Sequence, residues 1–340
     1  MQPSATHALP FPLMSEPLPL VVGLGTVDPD LVAEVFSGRC RFVADPTGAD
    51  LREAQGAIAR ADVTIDTAFL ERAPRLRVVA RTGVGVDRVD LDAATARGIA
   101  VVVTPGTGAV AVAEGAIAMA LHLVKRFGPL TDLVRSGRWA DRGSVAVGDL
   151  AGSTLGVVGF GRIGQHAGAL GAALGMQVLA YDPVAEPPAR FCCDTLDELL
   201  SRSDVITLHL PLTPDTHHLI NTETLGLTKP GAILINCGRG SLIDNDAAFQ
   251  ALVDGRLGGI GLDVFDPEPP QHHPLFDHPD VVLTPHVMGL SGQATAATFT
   301  AAATGVVDVL GGREPASVAN PRWRNGVQGA IPPLASTGGA

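Results

Sequence analysis

Cysteine is scarce in this chain. Its four residues, Cys40, Cys192, Cys193 and Cys237, show no CxxC spacing, which argues against a disulfide framework and against a cysteine-built zinc site. Free thiols in a reducing cytoplasm are the reading that remains. Basic residues are also few, with 24 Lys and Arg against 35 Asp and Glu and a formal net charge of −11. No basic stripe is available to displace counterions from phosphates, so nucleic acid is not an expected partner. No uninterrupted apolar run approaches the roughly 20 residues of a membrane span, although 46% hydrophobic residues suffice for sizeable cores. The proline-rich start, Gln2–Pro19, has neither the basic opening nor the apolar core of a signal peptide. It reads as a disordered extension, set at 1–17, and 325–340 reads as a tail of the same kind. No internal repeat is present, and 340 residues leave room for two domains.

Glycine, by contrast, is plentiful, and in one place it is organised. The stretch Thr154–Asp182 opens with the apolar run Leu155–Val158, continues with Gly159, Gly161 and Gly164 in GxGxxG spacing, and passes into an Ala/Gly/Leu-rich helical segment. A second apolar run, Val178–Ala180, ends at Asp182. Gly159 suits a tight turn, Gly161 a close approach of backbone to pyrophosphate, and Gly164 a close packing of helix on strand. The helix N-terminus offers N–H groups and partial positive charge to the phosphates. Asp182 follows the last glycine by roughly the twenty residues that place an acid on the ribose hydroxyls. That acid would repel a 2′-phosphate, so NAD is expected rather than NADP. Two shorter matches, Gly23–Leu24–Gly25 and Gly83–Val84–Gly85, lack the third glycine.

Around this Rossmann half the chain alternates. Leu18–Gly23, Ala57–Ala59, Arg77–Ala80 and Ala100–Val103 read as buried strands, with helices at Leu31–Phe36, Thr67–Arg72 and Leu91–Arg97. That alternation predicts a small parallel α/β domain. Val110–Phe127 reads as one long apolar helix connecting domains. Beyond the glycine-rich stretch, Asp204–Leu208, Ala232–Asn236, Gly259–Asp263 and Val281–Leu283 are predicted strands, with helices at Leu196–Arg202 and Asn245–Asp254. Gly292–Leu310 is predicted as a last helix that returns the chain to the first domain.

Ligands of open α/β sheets bind beyond the carboxyl ends of the strands, and three loops there carry unusual polar residues. Cys237–Gly238–Arg239–Gly240 follows one strand, Asp263 ends the next with Glu268 in DVFDPEP, and His286 follows VVLTP. A histidine titrates in the range useful for taking a hydroxyl proton during hydride transfer. A carboxylate beside it orients the ring. An arginine grips a planar carboxylate through two hydrogen bonds. Singly, Arg239 between glycines reads equally as a solvated loop residue and Glu268 between prolines as a surface charge. Their coincidence on successive strand ends favours a site.

These motifs resemble the D-isomer-specific 2-hydroxyacid dehydrogenase family, to which phosphoglycerate dehydrogenases belong. The resemblance runs from about Ile58 to Asn320 and rests on ARTGVGVDRVDLDAATARGI, LAGSTLGVVGFGRIGQ, LHLPLTPDTHHLIN, INCGRGSLID, GLDVFDPEP and VVLTPH. It implies two Rossmann-like or flavodoxin-like α/β domains with parallel sheets and an active site in the cleft between them. The substrate domain would comprise 18–109 with 293–324, and the NAD-binding domain 110–292. It implies Arg239 as clamp of the substrate carboxylate, Glu268 as partner of the histidine, and His286 as acid/base, with the Val84–Gly85 backbone holding the carboxylate from the other domain. Gly159, Gly161, Arg162, Ile163, Gly164, Asp182, Pro211, Thr216, Cys237, Gly238, Arg239, Asp263 and His286 would line NAD. Arg60 and Arg81 sit where phosphoglycerate dehydrogenases place basic residues near the substrate phosphate. A cytoplasmic homodimer joined through the cofactor domain is implied as well.

Two departures bear on substrate. Val103–Thr104–Pro105–Gly106–Thr107–Gly108 replaces the common N-T-P-G-x-N, and Met288–Gly289–Leu290–Ser291 replaces a common G-G-S-T. The expected reaction is hydride transfer between nicotinamide and C2 of a small 2-hydroxy or 2-oxo acid, with 3-phosphoglycerate, glyoxylate and hydroxypyruvate as candidates. Phosphite-type oxidation and an NAD-sensing scaffold of the C-terminal-binding corepressor type are the alternatives; Glu268 argues against formate oxidation. The histidine pairs His217–His218 and His272–His273, with His278, lack paired ligand spacing, so no metal is expected.

Overall fold

The computed structural model describes residues 17–326. The extension expected over 1–17 and the tail expected over 325–340 lie almost wholly outside the described residues. Asn325 and Gly326, assigned to that tail, belong to the 3-10 turn Trp323–Gly326. The chain folds as two compact units, 17–105 together with 298–326, and 106–297.

The first unit alternates β1 (Leu20–Leu24), α1 (Asp30–Phe36), β2 (Arg41–Val43), α2 (Gly48–Glu53), β3 (Gly56–Ala59), α3 (Thr67–Arg72), β4 (Val78–Arg81), α4 (Leu91–Ala96) and β5 (Ala100–Val102). The strands pair in parallel in the order β2-β1-β3-β4-β5, the flavodoxin-like order. Parallel strands covered on both faces must be apolar throughout, and Val21, Val22, Ile58, Val78 and Val79 are fully buried. Side chains start the helices. Asp66 accepts from the Phe69 N–H at 2.8 Å and Asp90 from the Ala93 N–H at 2.9 Å. Neither β2 nor α2 was predicted from the sequence. The apolar run in β2 is too short to show, and α2 announces itself only through the capping box of Thr47 and Asp50.

The second unit opens on α5 (Ala109–Val124) and α6 (Phe127–Arg135). The single helix expected over Val110–Phe127 is therefore broken, because Arg126 adopts a left-handed conformation at φ 56° while its guanidinium reaches Asp280 at 2.8 Å. Then follow β6 (Thr154–Val158), α7 (Arg162–Ala173), β7 (Gln177–Tyr181), α8 (Leu196–Arg202), β8 (Val205–Leu208), α9 (Thr222–Leu227), β9 (Ala232–Asn236), α10 (Asn245–Val253), β10 (Leu257–Leu262) and β11 (Val281–Leu283). All six strands are parallel, in the order β11-β10-β9-β8-β6-β7. The winding reverses between β6 and β8, the switch point at which such sheets take ligands.

α11 (Gly292–Leu310) brings the chain back to the first unit. Its Phe299, Ala302, Ala303, Val306 and Val309 share one core with Val21, Ile58, Val78 and Val102. Beyond it, Asn320 is buried beside β5. Its amide oxygen accepts from the Val101 N–H at 2.8 Å, and its NH2 donates to the Ile99 carbonyl at 2.9 Å and to Thr95 Oγ1 at 3.0 Å. Asn320→Leu leaves those buried groups unpaired and is expected to lower stability by about 2–4 kcal/mol, read as a lower urea midpoint. An unchanged midpoint would mean that water replaces the amide.

Candidate active site

The glycine turn sits at the switch point. Gly159 has φ 94°, and a Cβ there would stand 2.8 Å from the backbone of His209 and Leu210, just past β8. At Gly164 a Cβ would overlap the carbonyl oxygen of Gly159, so the start of α7 rests directly on the turn. Gly161 is exposed and a Cβ there would meet nothing. No side chain caps α7, so the N–H groups of its first turn, at Arg162 and Ile163, face that open space. Asp182 ends the neighbouring strand. Its carboxylate takes the Phe160 N–H at 2.7 Å and the Val184 and Ala185 N–H groups at 2.9 and 2.8 Å. These bonds fasten the glycine turn to β7, and a carboxylate still has acceptor capacity for a hydroxyl. An open glycine, an uncapped helix start and a strand-end acid fit a dinucleotide.

Pro211 with Thr216, and Cys237, Gly238 and Arg239, occupy two of the loops expected to line it. Pro211 is exposed, whereas Thr216 is 6% exposed and turns inward: its hydroxyl donates to the Pro211 carbonyl at 2.8 Å and accepts from the Thr213 N–H at 2.7 Å. Thr216 thus shapes its loop. In CGRG, the buried Asn236 does the same, accepting from the Gly238 N–H at 3.0 Å and donating to the Arg239 carbonyl at 2.8 Å. Burial, with Asp263 adding to it, pushes the Cys237 thiol up to about 12. It is a small wall residue rather than a nucleophile.

The loop that carries Arg239 and the DVFDPEP loop are in contact through Gly240 and Ser241. A Cβ on Gly240 would collide with the Phe265–Asp266 peptide, and the Ser241 hydroxyl donates to Asp266. Glycine at 240 is therefore what lets the two loops meet. Within DVFDPEP, Glu268 accepts from the Phe265 N–H at 3.0 Å and lies 2.8 Å from His286 Nδ1. A carboxylate only accepts, so Nδ1 carries the proton and Nε2 is the ring atom left to exchange one.

Asp263, 2% exposed, holds the same histidine by its backbone. Its carboxylate takes the Thr284 hydroxyl at 2.6 Å and the Val287 and Met288 N–H groups at 2.9 and 3.1 Å. His286 between them is at φ 55°, a conformation that costs a non-glycine residue about 1–3 kcal/mol and persists only when its surroundings enforce it. The resemblance implies Asp263 at the cofactor; three hydrogen bonds of its carboxylate also hold the His286 turn. Met288–Ser291 and the Gly106–Gly108 end of the other departure lie in the second unit. Met288 packs on Gly115 of α5, and Gly289 lies 3.4 Å from a Cβ placed on Gly108.

In the first unit, Val84 is exposed and Gly85 half-buried, in the loop after β4. Arg60 is half-buried after β3. Arg81 departs from expectation. It is 2% exposed and its guanidinium donates to backbone carbonyls, so it is not presented to a phosphate.

His209, which went unremarked in the sequence, lies beside the Gly159 turn. Its Nε2 is 3.0 Å from Thr207 Oγ1 and its buried Nδ1 is without a hydrogen-bond partner. Burial lowers its pKa to about 4, so the ring is neutral. Its only signal was its place between the strand and Pro211. Among the described residues no group of three or more His, Cys, Asp or Glu is arranged to hold a metal ion, and no helix is long and apolar enough to cross a membrane.

A family model for the D-isomer specific 2-hydroxyacid dehydrogenase NAD-binding domain matches residues 117–288. The chain is 38% identical to D-3-phosphoglycerate dehydrogenase of Methanocaldococcus jannaschii over 275 residues, 79% of this chain and 52% of that protein. It is 40% identical to the Mycobacterium tuberculosis D-3-phosphoglycerate dehydrogenase over 286 residues, 82% of this chain and 54% of that one. The chain thus spans about half the length of these relatives. A crystal structure of Aquifex aeolicus D-lactate dehydrogenase, complexed with NAD and lactic acid, matches with TM-score 0.71 and 31% identity, covering 82% of this chain and 92% of that one.

Asp263→Asn replaces an acceptor-only group with one that also donates, and the turn around His286 is expected to loosen. Amide exchange at Val287 and Met288 should accelerate about tenfold or more, the loss of a charged-group hydrogen bond. Unchanged exchange at both amides would mean that the turn is held without Asp263.

Proposed function

The chain belongs to the D-isomer specific 2-hydroxyacid dehydrogenase family, and from that membership we propose that it is an NAD-dependent oxidoreductase acting on the CH–OH group of a small 2-hydroxy acid, or reducing the matching 2-oxo acid. The observation that carries this reading is the pairing of His286 Nδ1 with Glu268 at 2.8 Å, on the loops beyond β10 and β11 of the NAD-binding sheet. When bound, NAD supplies or accepts the hydride. Everything else falls to the protein. Glu268 fixes the proton on Nδ1 and orients the ring. His286 Nε2 gives a proton to the substrate oxygen during reduction and takes it back during oxidation. Arg239, whose loop abuts that of Glu268, grips the substrate carboxylate in two-pronged fashion. Val84–Gly85, in the loop after β4 of the first unit, keeps the substrate-holding role that the resemblance implies. Gly159, Gly161, Arg162, Ile163, Gly164 and Asp182 hold the dinucleotide, with Pro211, Thr216, Cys237, Gly238 and Asp263 shaping its surroundings.

The substrate class we propose is a small 2-oxo acid, with glyoxylate, hydroxypyruvate and 3-phosphohydroxypyruvate as members. The named relatives support the phosphorylated one, whereas the burial of Arg81 removes one of the two basic residues it was expected to use. We place the working enzyme in the cytoplasm, consistent with four free cysteines, as a homodimer joined through the NAD-binding unit. Phe127, Val134, Trp139 and Val147, all at least half exposed along one segment of that unit, supply the apolar surface for it.

The test is NADH and NADPH consumption against glyoxylate, hydroxypyruvate, pyruvate, 2-oxoglutarate and 3-phosphohydroxypyruvate. One member is expected to turn over with NADH preferred, and His286→Ala to lower its kcat by about 10²–10⁴-fold while NADH still binds. Silence across the panel with NADH bound, or a fully active His286→Ala, would overturn the reading.

A further inference from the structure

Arg81 is the last residue of β4, paired in register with Ala59 at the end of β3. At 2% exposure it is, with Asp263, one of two charged side chains buried this deeply among the described residues. Burial lowers its pKa, and Asp62 and Asp87 act in the opposite direction. The guanidinium is surrounded by backbone. Nη1 donates to the carbonyls of Arg60 at 2.7 Å and Val63 at 3.0 Å, Nη2 to that of Ala61 at 2.7 Å, and Nε to that of Gly85 at 3.4 Å.

These four carbonyls belong to two loops. Arg60, Ala61 and Val63 follow β3, and Gly85 lies in the turn that follows β4. Neither loop has an extended ladder there: the Arg60 carbonyl also takes the Val63 N–H at 3.1 Å, and the guanidinium is the donor that ties the two loops together. Arginine suits the position because its five donors lie in a rigid planar fork, so one side chain reaches carbonyls in several directions at once. A lysine ammonium has three donors on a flexible stem and no comparable spread. The resemblance implies parallel roles for Arg81 and Arg60 at a substrate phosphate. The structure makes them different: the Arg81 side chain faces inward and grips the carbonyl of Arg60 itself.

We propose that Arg81 is a positioning residue, a buried clamp joining the loops after β3 and β4 that sets the substrate-facing backbone at Val84–Gly85 and the attachment of Arg60. It rests on the reading of the first unit as the substrate-binding one. The clamp acts on substrate binding and leaves the chemical step and the dinucleotide, which depend on residues of the other unit, untouched. A role limited to stability would instead reduce the fraction of active protein, which appears in kcat.

The test uses full-length Arg81→Lys and Arg81→Met with the oxo acid that the parent enzyme reduces best. KM for that acid is expected to rise about tenfold, with kcat within about twofold of the parent and the Kd for NADH unchanged, and with Lys recovering only part of the loss that Met causes. Amide exchange over 60–63 and 82–86 is expected to accelerate while the strands of the same sheet keep their protection. Accelerated exchange with an unmoved KM would overturn the proposal, as would unchanged exchange in both loops. The exchange measurement needs no turnover, so failure of the clamp is distinguishable from failure of the enzymatic reading.

Discussion

One loop, DVFDPEP, holds one histidine in two ways, and the chemistry available to the NAD-binding unit depends on that arrangement. Glu268 takes the ring through Nδ1, and Asp263 holds the turn through the Thr284 hydroxyl before it and the Val287 and Met288 N–H groups after it. The first contact decides which nitrogen keeps its proton. The second enforces a left-handed conformation that a histidine does not adopt without support. Neither would serve alone. A ring with the right tautomer on a loose turn has no defined direction, and a well-held turn without Glu268 leaves the imidazole to rotate. The loop is in turn backed by Gly240, whose missing side chain lets the Arg239 loop close on it.

Parallel sheets make such an arrangement accessible. Strands β8, β9, β10 and β11 all finish at the same edge, so loops far apart in sequence are neighbours there. The first unit repeats the principle in a smaller sheet, where the ends of β3 and β4 are adjacent and the loops beyond them hang from a single buried guanidinium. In both units the polar residue that organises the loops is buried at a strand end, whereas His286 and Val84 are exposed.

Much of this was legible in the chain. The run Leu155–Asp182 contains its strand, turn, helix and acid in an order that leaves little choice, and Gly159, Gly161 and Gly164 stand where a side chain would collide or where open space is needed. Arg239, Glu268 and His286 were visible because each follows an apolar strand. What remained hidden depended on tertiary bonds. Nothing local in Val110–Phe127 reveals that Arg126 will reverse its backbone and reach Asp280. An arginine in ARTGVGVD looks like a surface cation until its fork is seen among the carbonyls of a neighbouring loop. Asp263 carries the same lesson, since a strand-end acid near a cofactor loop gives no sign that its acceptors will be turned on the Thr284 hydroxyl and the Val287 and Met288 N–H groups.

The central claim is that Glu268 acts through His286 and through nothing else. A double-mutant cycle tests it most directly, with Glu268→Gln, His286→Ala and the combined variant assayed for turnover of the same 2-oxo acid and for NADH binding. Each single substitution should slow turnover, and the combined variant should be no slower than His286→Ala alone. A combined loss equal to the product of the two single losses would contradict the account, because Glu268 would then be contributing by a route that does not pass through the histidine.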